Sequence, residues 1–140
     1  SYVDVMPPGY TPEQRIAFVA LMQETWARLL NGGKRVAVIS DVPGTIPDRT
    51  PDCVSREIHQ YDPCRRPRDT LVLSNPMFEA AKQTHGVTAV DITPYFCDSR
   101  FCHAVIGGVV VYFDAHHMTT TYAVTLARIV GPELAGLLTP

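Results

Sequence analysis

The residues best suited to chemistry lie in "FDAHHMTTTYA", residues 113 to 123. Asp114 stands three residues before His117, directly after the apolar run Val109 to Tyr112. A carboxylate that accepts from one imidazole nitrogen fixes the tautomer and leaves the second nitrogen able to take a proton from a hydroxyl nucleophile. On that reading His117 is a general base and Asp114 the acid that holds its ring. The same residues have a plainer use. Asp114 can satisfy backbone donors at the start of the final helix while His116 and His117 face water. Asp-x-x-His is a common spacing and does not choose between the two.

Delivering both side chains from one loop needs a strand before it and a helix after it. The apolar runs flanking Gly107-Gly108, from His103 to Tyr112, read as a tight hairpin. Thr119 can cap a helix through Val130, with Gly131-Pro132 breaking it before a last turn near Leu134 to Leu138. Upstream, Thr11-Pro12-Glu13-Gln14 is a helix start. The stripe Ile16, Val19, Met22, Trp26, Leu29 and Leu30 predicts one buried face, and Asn31-Gly32-Gly33 ends that helix. Residues 35 to 40, RVAVIS, have the look of a strand buried on both faces. Ser74-Asn75-Pro76 caps a helix reaching Thr84, and Val87 to Ile92 is strand-like. Many of the 12 prolines fall around residues 43 to 51 and 63 to 67, predicting loops ordered by something other than regular hydrogen bonding. Helix, strand, helix, strand, hairpin, helix is the order of an α/β sandwich.

The chain of 140 residues is expected to form one domain, which at this size buries roughly 70% of its unfolded surface. Apolar residues at 46%, charged residues at 19% and a net charge of −2 argue for a globular protein and against a nucleic-acid partner. Arg65, Arg66 and Arg68 form the one basic cluster and read as a solvated loop, or as a contact for an anionic lipid or glycan. The longest apolar stretch, Ala104 to Phe113, is too short for a membrane-crossing helix. The opening "SYVDVMPPGYTPEQ" carries no signal-peptide pattern and reads as the interior of something longer.

Four cysteines fall as two local pairs, Cys53 with Cys64 and Cys97 with Cys102. Three connectivities are possible. The local pairs are favoured as disulfides, each closing a short irregular loop, and disulfides imply an oxidising, extracytoplasmic location. The rival is zinc held by these thiolates with His103 or His116, although the gaps suit structural zinc poorly. No cofactor is called for.

The segment "VDITPYFCDSRFCHAVIGGVVVYFDAHHMTTTYAVTLA", Val90 to Ala127, closely resembles the C-terminal part of SGNH (GDSL-like) domains fused behind membrane O-acyltransferases of the acyltransferase-three type. The marks are an Asp before a short strand, two nearby cysteines, a hairpin ending in Tyr-x-Asp, and Asp-x-x-His-Leu-Ser leading into the last helix. Here these are Tyr112-Phe113-Asp114 and His117-Met118-Thr119, the latter where the family has His-Leu-Ser. "RVAVISDVPGTIPDRTPDCVSR" is similar to the preceding part, so the likeness covers nearly the whole chain. It implies a three-layer α/β sandwich with a parallel sheet, one or more N-terminal strands missing, and His117 as the catalytic histidine with Asp114 as its partner. His116 is then an intervening residue.

One departure matters. The family's nucleophile stands in a Gly-Asp-Ser, and these residues contain none. Ser40 follows a strand and precedes Asp41, but the family has a connecting loop there. The expectation is a serine, with its oxyanion donors, in a preceding part of the domain. The resemblance then implies an extracytoplasmic, membrane-tethered O-acyltransferase or esterase. It would move an acetyl-like group between an acyl donor and a carbohydrate acceptor of the cell envelope, partnered by the membrane acyltransferase domain of the same parent chain. The alternative is a non-catalytic module binding glycan or a partner, with Tyr10, Tyr61, Tyr95 and Phe96 exposed for stacking on sugars. Asp91 reads as a strand-end cap, and His59, His85 and His103 as surface or loop histidines.

Overall fold

A computed structural model describes residues 11–44, 50–73, 75–115 and 117–138. It divides into two compact units, residues 1–41 with 74–91, and 42–73 with 92–140.

The first unit begins with α1, Pro12–Asn31. Thr11 and Gln14 form a reciprocal capping box, which satisfies two of the donors a helix start leaves open. The strand β1, Val36–Ile39, follows. A helix Pro76–Gln83, labelled α4 in chain order, is capped by Asn75, whose Oδ1 accepts from Met77 and Phe78 N–H. The strand β3, Val87–Val90, runs parallel to β1 in the register Val36 to Val87 through Ile39 to Val90. Trp26 from α1, Val38 from β1, and Phe78, Ala80 and Ala81 from α4 make the core, with Val19, Met22, Val36, Met77, Val87 and Ala89 packed around it. Burying a side chain such as Phe78 contributes about 1.5–3 kcal/mol over leaving it exposed.

Two expectations about burial are corrected here. Ile16 and Leu29 are 59% and 44% exposed. At 100° per residue they fall about 80° and 60° from Trp26, on opposite sides, so they flank the buried line rather than lie on it. The strand at 36–39 is buried on one face only, since Val38 is buried while Ala37 and Ile39 are exposed. Both α1 and α4 pack on the Val38 side.

The second unit contains α2 (Thr50–Arg56), β2 (Arg66–Pro67), α3 (Arg68–Leu71), β4 (Phe101–Cys102), β5 (Val105–Ile106), β6 (Val109–Val110) and α5 (Thr120–Leu138), with a 3-10 turn at Thr93–Tyr95. The loop expected at 63 to 67 is therefore partly regular, because Arg66 and Pro67 pair antiparallel with Cys102 and Phe101. Of the proline-rich stretch at 43 to 51, Thr50 and Pro51 open α2, and 45–49 lie outside the described residues. The hairpin β5–β6 turns on Gly107 and Gly108, with φ of 57° and 78°. Both angles positive is what a two-residue turn matching strand twist requires, and glycine adopts them without strain. The break expected at Gly131-Pro132 does not occur, as α5 continues through Pro132 to Leu138. A proline removes one N–H donor and crowds one preceding carbonyl, a local cost that does not oblige a helix to end. Cys53 is bonded to Cys64, and Cys97 to Cys102.

Candidate functional site

The turn between β6 and α5 is tied down at both ends. Thr119 N–H donates to the Val111 carbonyl at 2.8 Å and its hydroxyl to the Val110 carbonyl at 2.7 Å. The same hydroxyl accepts from Tyr122 N–H at 3.2 Å, which caps α5. Phe113 N–H donates to the His117 carbonyl at 2.7 Å, and Tyr112 bridges Met118. Beneath the turn lie Phe96, Tyr112 and Tyr122, all buried. The Phe96 ring is 6.1 Å from that of Tyr112 and meets Tyr122 edge-on at 5.4 Å. The Tyr122 hydroxyl donates to the Tyr95 carbonyl. Burial pushes both phenols above their ordinary range, Tyr112 most. The Tyr112 hydroxyl has no hydrogen-bond partner among the described residues.

On this support Asp114 uses both carboxylate oxygens. Oδ1 accepts from His117 N–H at 2.8 Å, and Oδ2 lies 2.7 Å from His117 Nδ1. An ionised carboxylate only accepts, so Nδ1 carries the hydrogen and Nε2 is the basic nitrogen. The His117 side chain is 67% exposed and that of Asp114 30%. Asp114 thus holds one backbone N–H of the turn and the His117 ring at once, ahead of the helix start at Thr120 rather than at it. His116 lies outside the described residues.

A second histidine, missed in the sequence, is more heavily engaged. His103 Nδ1 lies 2.7 Å from Asp62 Oδ2, and its Nε2 lies 3.1 Å from Asp98 Oδ2. Asp62 is buried, and its other oxygen accepts from Ala104 and Val105 N–H at 2.9 and 3.0 Å. Asp98 accepts from Arg100 and Phe101 N–H, both at 2.7 Å. Those two backbone hydrogen bonds, with His103 adding to them, hold the Asp98 carboxyl below its ordinary range. His103 does lie in a loop, between β4 and β5, but it is held by two partners that the sequence did not signal. With both ring nitrogens against carboxylates, it is a structural crosspiece. The local sign was "CDSRFC", where Asp followed by two residues is a common self-bonded turn. Nothing nearby announced Asp62, 41 residues from His103.

Of the other residues singled out, Ser40 is buried and its hydroxyl donates to Asp91 Oδ1 at 3.2 Å in the first unit. Among the aromatics expected to be exposed, Tyr61 is, but Phe96 is fully buried in the aromatic cluster and Tyr95 is half-buried; Tyr10 lies outside the described residues. The four sulfurs are bonded to one another, so they are not thiolate ligands for zinc.

A family model described as the SGNH domain fused to AT3 domains matches residues 2–132, and the chain belongs to that family. No curated protein and no solved structure matches it. Membership brings an α/β hydrolase-like fold, an acyltransferase- or esterase-like role, and a membrane acyltransferase domain as fusion partner in the parent protein. No described helix is long and apolar enough to cross a membrane.

Proposed function

We propose that this chain is the histidine-bearing portion of an extracytoplasmic SGNH domain that moves an acyl group to or from a sugar hydroxyl of a cell-envelope glycan or glycolipid. The observation that carries the reading is the Asp114–His117 contact of 2.7 Å, on a segment whose Asp-x-x-His spacing resembles the family's. Asp114 keeps the proton on Nδ1, so Nε2 receives the hydrogen of a serine hydroxyl as the serine attacks the acyl carbonyl. The imidazolium formed, steadied by Asp114, then returns the proton to the departing alkoxide. In the second half-reaction His117 activates an acceptor hydroxyl or water, which releases the enzyme ester.

The serine and its oxyanion donors belong to a part of the domain outside these 140 residues, since no Gly-Asp-Ser occurs in them. Ser40 is buried, which leaves little room for an acyl group to reach its hydroxyl. That outer part would also cover the exposed Ala37 and Ile39 face of β1, giving the third layer of the sandwich. An oxidising location agrees with the two disulfides.

A serine-reactive phosphonate applied to the intact parent protein tests the reading. Labelling that disappears in His117→Ala supports acyl transfer. Absence of labelling in the unaltered parent supports the second reading, a binding module, which Tyr61 favours by its 88% exposure.

A further inference from the structure

The pairing of β2 with β4 brings together arginines that the sequence keeps apart. Arg65, Arg66 and Arg68 come from one segment and Arg100 from the other, and Arg65 and Arg100 both lie over Phe101. The guanidinium carbon of Arg65 lies 4.4 Å from the Phe101 ring centre and that of Arg100 5.3 Å from it. Arg68 N–H donates to the Arg100 carbonyl at 2.9 Å, and its Nη1 to the Asp98 carbonyl at 3.1 Å. None of the four forms an ion pair with a described carboxylate. Like charges gathered this closely repel one another, and in a chain of net charge −2 they are not a general background.

Beside them opens a cavity of about 560 Å³, whose walls include Arg68, Arg100, Ser99, Asp69, Val72 and Phe101. Its far wall is braced by the Cys97–Cys102 disulfide and by the Asp98 carboxylate gripping Arg100 and Phe101 N–H. The volume lies within the range of small-molecule sites, roughly 300–1,000 Å³. The lining residues include two arginines, whose planar guanidinium donors suit a phosphate, together with Ser99, Asp69 and the apolar Val72 and Phe101.

We propose that this cavity binds a phosphate-bearing sugar, with the phosphate between Arg68 and Arg100 and the sugar hydroxyls on Asp69 and Ser99. A bare anion would leave Asp69 as an unrelieved repulsion. A sugar phosphate gives that carboxylate hydroxyl donors to accept from. The site shares no residue with the Asp114–His117 pair, so it stands or falls apart from the acyl-transfer reading.

The test is titration of the intact parent protein, followed by amide and arginine side-chain NMR. The ligands are N-acetylglucosamine 1-phosphate, N-acetylglucosamine, inorganic phosphate, and phosphatidylglycerol vesicles. The sugar phosphate is expected to bind saturably, at least about tenfold more tightly than the neutral sugar or phosphate alone, with shifts at Ser99, Arg100 and Phe101. Arg100→Gln should weaken it by about tenfold or more, Arg100→Lys by less, and Arg128→Gln on α5 not at all. Near-UV circular dichroism checks that each variant is folded, and Arg100→Lys carries the test if Arg100→Gln is not. Equal weakening by Arg128→Gln, phosphate binding as tightly as the sugar phosphate, or vesicle binding without sugar-phosphate binding would each overturn the proposal.

Discussion

Two histidines in the second unit meet a carboxylate at the same 2.7 Å, and almost everything else about them differs. His117 and Asp114 belong to one turn, and two thirds of the histidine side chain is exposed. His103 is drawn between Asp62 and Asp98, with 21% of its side chain exposed and Asp62 completely enclosed. A short Asp–His contact therefore does not by itself choose between chemistry and support, and the surroundings of the ring must be weighed with it. What separates a base from a brace is whether a second carboxylate occupies the other ring nitrogen and whether a substrate could approach it.

If that contrast holds, substitutions at the two histidines part company. His117→Ala in the intact parent should lower acyl transfer or phosphonate labelling by about 10²–10⁴-fold, while stability moves by less than about 0.5 kcal/mol. His103→Gln should do the reverse, lowering stability more than activity. Equal stability losses in urea titrations of the two variants would erase the distinction.

Next in size is Asp62→Ala. It strands His103 and the Ala104 and Val105 N–H groups together, and about 3–5 kcal/mol of unfolding free energy should go with it. Asp62 has a positive φ of 45°, a conformation asparagine tolerates, so Asp62→Asn should cost less. Somewhat smaller is removal of the Cys97–Cys102 bond by paired alanines, about 2–3 kcal/mol for so short a loop, read from the urea midpoint with and without reductant.

Acid should act on the brace as well. Asp98 is held below its ordinary value of 3.8, so the unfolded chain takes up a proton at this position before the folded one does. The stability it lends is complete above that ordinary value and declines as pH falls through and below it. Asp98→Ala should flatten the acid limb of a plot of melting temperature against pH; an unchanged limb would show that Asp98 lends nothing. The smallest effect is expected from Tyr112→Phe, which deletes a buried hydroxyl without a described partner. Thermal melts should move by less than about 0.5 kcal/mol equivalent in either direction, whereas a large loss would reveal a bond to that oxygen.

What the sequence revealed was whatever a few consecutive residues decide. The Thr11 and Asn75 caps, the Gly107-Gly108 hairpin and the Asp114–His117 spacing all lie within four residues, where backbone geometry alone brings the groups together. Hidden were the features made by chain reversal. The short β2–β4 ladder needs Arg66 to find Cys102, and the His103 brace needs Asp62 to find both a ring and two amides. Pro132 misled for a different reason: a missing donor weakens one turn, and the rest of α5 continues past it. Exposure was misjudged where a stripe was taken to be wider than its packing, at Ile16 and Leu29, and where an aromatic in a loop, Phe96, proved to be the floor of the turn.

One carboxylate at 114 serves both a backbone N–H of its turn and the ring of its neighbour, whereas residue 117 gives that turn two backbone bonds that any residue could make and one ring bond that needs the imidazole. In a lineage that gave up acyl transfer, selection for folding would go on preserving the aspartate, and the imidazole would be the first of the two to drift.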